Sequence, residues 1–221
     1  KTTTTTTATV TDDGSTTTTT TPTSTKKTST TTIKFNYASI AFICFFIFGL
    51  LCSCITSVTQ HLPGYGESIG YTATTAAMLL SAGMIGNIVS KLVLGTLSDM
   101  IGALKATMTI IIVHIIGVVL LMLGMSPIFS IIGAFFFGSA YGLGAVGLPL
   151  LTKYFFGIET YSQVFPKISF ASNFGAAISI SMVGYIYDFF GSYIYAFILV
   201  LLMISICIIT LIITNKSIKK L

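Results

Sequence analysis

The 221-residue chain has no arginine, no tryptophan and only six acidic residues. Charged side chains make up 8% of it, against about 25% in a soluble domain. Hydrophobic residues make up 53%, and the mean hydropathy is +0.94. So few charges cannot cover a water-facing surface without leaving large apolar patches, which excludes an ordinary soluble enzyme. The absence of arginine removes the forked guanidinium used to read phosphates and bases. The net charge of +5 comes from lysine alone and is not a nucleic-acid signature. The four cysteines, Cys44, Cys52, Cys54 and Cys207, all lie in apolar runs. Cys52-Ser-Cys54 has one intervening residue, not the two of a zinc knuckle or redox motif. They read as small buried hydrophobes with no disulfide implied. There is no phosphate loop, nucleotide motif or metal cluster, so neither cofactor nor metal is expected and ATP-driven chemistry is unsupported.

What is present falls into two parts, 1–34 and 35–221. Twenty of the first thirty-two residues are threonine. They have no apolar period and almost nothing to bury, which predicts disorder. An O-glycosylated stalk and a cytoplasmic linker both fit that composition. Lys26, Lys27 and Lys34, just before the first apolar run, favour the linker. A chain opening on Lys1 rather than Met leads us to expect a longer protein of which this is a piece.

Six long apolar runs follow, at about 38–59, 75–98, 105–126, 128–152, 168–187 and 193–214. Each is near the ~20 residues that cross ~30 Å of hydrocarbon as a helix. The expected fold is an all-α membrane protein of six transmembrane helices preceded by a disordered Thr-rich segment. Nine lysines (26, 27, 34, 105, 153, 167, 216, 219 and 220) flank the runs on one side. The opposite loops hold His61, Glu67 and Asp188 but no lysine. This asymmetry predicts that both termini are cytoplasmic.

Small residues recur inside the runs. Gly83-x-x-Gly86 and Gly138-x-x-x-Gly142 read as sites of close helix packing. Gly142, Gly144, Gly147 and Pro149 crowd the fourth run and predict a bend or gate there. In the second run Gly83, Asn87, Lys91, Gly95 and Asp99 recur every four residues and make one stripe along a helix face. Lys91 precedes Asp99 by eight residues, about 12 Å of rise, which puts it near the midplane. An ammonium there costs a few kcal/mol on insertion and must face protein or water. Two readings are open: a structural cation satisfied by Asn87 and carbonyls, or a cavity cation pairing with an anionic solute. In the second, Asn87 accepts from Lys91 and leaves two donors for a carboxylate. Tyr141 is a candidate hydrogen-bond donor to the same cavity, and His61 a candidate outer gate or proton site. His114 reads as a packed neutral histidine, and Asp188 as a helix-capping loop carboxylate.

Gly95-Thr-Leu-Ser-Asp99-Met-Ile-Gly102-Ala-Leu-Lys105 resembles the major facilitator superfamily loop G-x-L-x-D-x-x-G-x-x-K, between the second and third helices of each six-helix half. Met100 and Ala103 stand where that motif usually carries bases. His61-Leu-Pro-Gly-Tyr65, Tyr154-Phe-Phe-Gly157 and Gly184-Tyr-Ile-Tyr-Asp188 are similar to stretches of the oxalate/formate antiporter and monocarboxylate transporter group. So is Asn87-x-x-x-Lys91-x-x-x-Gly95, with Lys91 replacing an arginine expected to hold a carboxylate. The resemblance covers residues ~35–215 and implies the C-terminal half of a secondary transporter in the plasma membrane. It implies a small carboxylate as substrate, conformational roles for Gly95, Asp99, Gly102 and Lys105, and an N-terminal six-helix half upstream or in trans. Expected partners are that half, the solute and the lipid bilayer, with no nucleic acid. Two other classes compete: a non-transporting six-helix scaffold, and a rhomboid-like hydrolase built on Ser139 and His114.

Overall fold

The computed structural model describes residues 7–10, 16–19 and 37–219. The chain divides into two units, 1–34 and 35–221. In the first, β1 (Thr7–Val10) and β2 (Thr16–Thr19) pair antiparallel, with Thr7 opposite Thr19 and Val10 opposite Thr16. These eight residues lie inside the segment expected to be disordered; threonine is β-branched and favours extended backbone. The remainder of the Thr-rich segment, with Lys26, Lys27 and Lys34, lies outside the described residues, as does Lys220.

The second unit is helical. It comprises α1 (Ile40–Ser57), a 3-10 turn (Val58–His61), α2 (Leu62–Ser68), α3 (Ala73–Ile101) and α4 (Ala103–Leu123). Then come α5 (Pro127–Phe137), α6 (Ala140–Gly142), a π turn (Leu143–Gly147), α7 (Leu148–Phe190) and α8 (Ile194–Ile218). The boundaries follow local chemistry. Ser39 and Thr72 cap α1 and α3 by accepting from Phe42 N–H and Thr75 N–H. Pro127 opens α5, where its missing N–H costs nothing. Gly102 alone separates α3 from α4, at φ 87°, a backbone that L side chains rarely adopt.

Five continuous helical stretches are long and apolar enough to cross a membrane: Ile40–Ser68, Ala73–Ile101, Ala103–Leu123, Pro127–Phe190 and Ile194–Ile218. The expected fourth and fifth runs both fall inside Pro127–Phe190. That stretch is not straight. Gly157 breaks it with φ 76° and ψ 166°. A Cβ placed on Gly49 would lie 3.3 Å from Leu148 Cδ2 and 2.9 Å from Ile168 Cγ2. A straight helix would separate residues 148 and 168 by about 30 Å. The chain therefore folds back on itself around Gly157.

The core runs the length of the bundle, through Phe45, Phe48, Leu79, Phe137, Leu151 and Phe197. Large exposed apolar residues such as Ile88, Leu92, Phe170 and Ile198 cover much of the outside, as on a lipid-facing surface. The described unit belongs to the membrane-protein class.

Candidate functional site

Three helical segments converge on α3. A Cβ at Gly138 would overlap the Gly83 carbonyl, and one at Gly86 would overlap the Phe135 carbonyl. The backbones of α3 and the α5–α6 segment therefore cross in direct contact, which only glycine permits. A Cβ at Gly83 would also lie 3.2 Å from Thr59 Cγ2, so the end of the 3-10 turn meets the same point. Lower down, a Cβ at Gly142 would lie 2.9 Å from Ser90 Oγ, and one at Gly147 would lie 3.5 Å from Leu94 Cδ2. The π turn is thus held against α3 between Ser90 and Leu94.

Asn87 is the central residue of α3. Its Nδ2 lies 3.9 Å from Met84 Sδ, while its Oδ1 is buried with no hydrogen-bond partner. Lys91, one turn on, is half-buried and has no hydrogen bond or ion pair among the described residues. The expectation that Asn87 accepts from Lys91 is not met: both groups stay open, because Asn87 is turned toward Met84. Tyr141 is half-buried, and its hydroxyl accepts from Gln60 Nε2 at 3.1 Å. This bond ties the 3-10 turn to α6 and brings in a residue the sequence reading missed. Gln60 is a lone amide just after the first apolar run, and nothing in the sequence there marks its partner.

The other candidates scatter. His61 Nε2 lies 3.2 Å from the Ile180 carbonyl, so its N–H donates there and joins the 3-10 turn to α7. Its ring is 6.3 Å from that of Tyr193, which stacks on Tyr187 at 4.4 Å. His61 belongs to this aromatic end cluster, away from Lys91. At the other end of α3, Asp99 and Lys105 are both exposed and make no ion pair among the described residues. Gly95 faces open space, so it is not a close-packing glycine here. Lys105 shares a recess with Tyr154, Asn215 and Lys219.

Gly144 also has nothing within 4 Å of a Cβ built on it, and Ala145 is exposed. Leu148 N–H bonds to the Leu143 carbonyl, five residues back. Pro149 follows without an N–H, so the expected bend of the Gly-Pro cluster takes the form of a π turn.

His114 Nδ1 lies 2.9 Å from the Phe137 carbonyl, as expected of a packed histidine. Its Nε2 and the Ser139 hydroxyl are each buried without a partner, so the two do not form a dyad. No cluster of three His, Cys, Asp or Glu side chains occurs among the described residues. The candidate polar groups in the middle of α3 are one cation, Lys91, and one neutral amide, Asn87. No protein-family model matches the chain, and no curated protein matches it.

Proposed function

We propose that the chain is one six-helix half of a secondary active transporter of the major facilitator type, moving a small carboxylate by alternating access. Lys91 carries this reading. An ammonium about 6 Å from the middle of a 29-residue apolar helix costs several kcal/mol unless it faces water or protein. It has no partner among the described residues, and an unpartnered acceptor lies one turn away. An anion entering a water-filled cleft supplies what Lys91 lacks. Asn87 lies on the same helix face as Lys91, and Gln60 holds Tyr141 on α6.

In this reading Pro127–Phe190 crosses the bilayer twice, reversing at Gly157, which makes six crossings. Lys105, Lys153, Lys167, Lys216 and Lys219 then share the cytoplasmic side of the plasma membrane. The polar face needs a second six-helix half to close it, because transporters of this kind bind substrate between halves at the midplane. Energy comes from a solute or ion gradient.

Cells expressing the full-length protein should accumulate labelled acetate saturably. Uptake no greater than in vector controls would sink the reading. Orientation is tested separately, on a background in which the four native cysteines are replaced by serine. A membrane-impermeant maleimide should label Glu67→Cys and spare Lys216→Cys in intact cells. The reverse pattern would overturn the lysine argument.

A further inference from the structure

Three of the apolar stretches end close together. α3 ends at Ile101, α4 begins at Ala103, and α8 ends at Ile218. Ile101 and Leu104 line the same recess as Asn215 and Lys219. Tyr154, three residues before the reversal at Gly157, lines it too. Hydrocarbon runs out where membrane-crossing stretches end, so the recess sits at the level of the lipid headgroups. Its volume is about 410 Å³, room for roughly a dozen waters at ~30 Å³ each.

The recess is cationic. Lys105, in the first turn of α4, and Lys219, just past the end of α8, both line it, and no carboxylate does among the described residues. Neither ammonium has a hydrogen bond or ion pair among the described residues. Asp99 and Glu159, the acidic residues nearest in sequence to Lys105 and Tyr154, are exposed and lie outside the lining. Two ammoniums in one recess repel each other, more strongly at the edge of a low-dielectric core than in water. An anion between them replaces that repulsion with two attractions. The neutral groups add donors: Tyr154 a hydroxyl and Asn215 an amide NH2. Lys219 N–H bonds to the Asn215 carbonyl at 3.3 Å, which holds the end of α8 in a turn beside the recess. Ile101 and Met100 are both exposed, so apolar surface continues from the recess along α3.

We propose that this recess binds the phosphate group of an anionic phospholipid. Lys105 and Lys219 take phosphate oxygens, Tyr154 and Asn215 donate to the oxygens left over, and the acyl chains lie along Ile101 and Leu104. Phosphate is the anion that a bilayer surface supplies at this level. A choline headgroup brings its own cation up to two lysines and is disfavoured. A free phosphate matches the donors but gains nothing from the apolar edge. The assignment does not depend on what the protein transports. It takes from the topology only that these helix ends lie at a bilayer surface.

The test is binding of acyl-chain-labelled phosphatidylglycerol to the full-length protein in detergent micelles, read by thermophoresis. Binding should saturate, and unlabelled phosphatidylglycerol should displace the label about tenfold better than phosphatidylcholine of the same chains. Inorganic phosphate in large molar excess should leave the label bound. Lys105→Gln and Lys219→Gln should each weaken binding about fivefold. Lys153→Gln and Lys216→Gln remove the same charge from exposed positions outside the lining and should change it little. Tyr154→Phe combined with Asn215→Ala keeps the net charge and should weaken binding about two- to tenfold. All variants are compared at equal folded amount by size exclusion. Equal losses from all four lysines would show attraction to diffuse surface charge and overturn the site. So would equal displacement by phosphatidylcholine, unchanged affinity in the Tyr154→Phe, Asn215→Ala protein, or no saturable binding. Displacement by inorganic phosphate would assign the recess to a free anion and overturn the lipid. Acetate uptake is read separately: its absence removes the transport reading and leaves this site, and loss of lipid binding alone does the opposite.

Discussion

Lys91→Gln is expected to reduce anion uptake by about ten- to a hundredfold or more. A hydrogen bond to a charged group contributes about 1.5–3 kcal/mol, and each 1.4 kcal/mol is about tenfold. The amount of protein in the membrane should not fall. Removing a charge near the midplane relieves an insertion cost of about 2.5–3.5 kcal/mol on translocon scales. Among the described residues the ammonium has no protein partner whose loss would loosen the bundle. Lys91→Arg keeps the charge and should retain part of the activity, with altered substrate preference from its forked geometry. The measurement is initial uptake rate against the folded amount, read by size-exclusion of a fluorescent fusion. Normal uptake by Lys91→Gln would reject the substrate role. Lost folding with Lys91→Gln would show instead that Lys91 ties helices together.

Gly138→Ala should deplete the folded protein. A methyl there overlaps the Gly83 carbonyl, a backbone group that cannot rotate away. The helices must separate along the whole crossing, which also strips the contact between Gly86 and Phe135. Ordinary overpacking costs about 1–3 kcal/mol, and this case belongs at or above the upper end. Gly95→Ala and Gly144→Ala meet nothing within 4 Å and should leave the thermal midpoint in detergent nearly unchanged. Gly83→Ala is intermediate, because its nearest neighbour is Thr59 Cγ2 at 3.2 Å. A Gly138→Ala protein as stable as Gly95→Ala would show that the two helices do not cross in backbone contact.

That ranking was not readable from spacing. Gly83, Gly138 and Gly95 all lie in small-residue patterns, and the pattern records only that a side chain is missing. Whether a neighbouring backbone fills the gap depends on which helix arrives there. Gly95 was read as part of the loop motif, with a conformational role, and faces open space, whereas Gly83 and Gly138 meet each other. The Asn87–Lys91 pairing failed for a related reason. A four-residue spacing puts two side chains on one face, but rotamers chosen by the surrounding packing decide whether they touch. Asn87 turned to Met84.

Composition and hydropathy alone established the membrane class, because only helices satisfy their own backbone within such apolar runs. The apolar runs also put the starts of α1, α3, α4 and α8 within two residues of the observed ones, whereas the caps at Ser39 and Thr72 emerged only in the structure. Tertiary structure decided the rest. It set the reversal at Gly157, the Gln60–Tyr141 bond, and the π turn in which Leu148 N–H bonds to the Leu143 carbonyl. Each of these depends on groups far apart in the chain, or on a backbone bond shifted by one residue. Side-chain periodicity records neither, because it reports which face a residue occupies and not what comes to meet it.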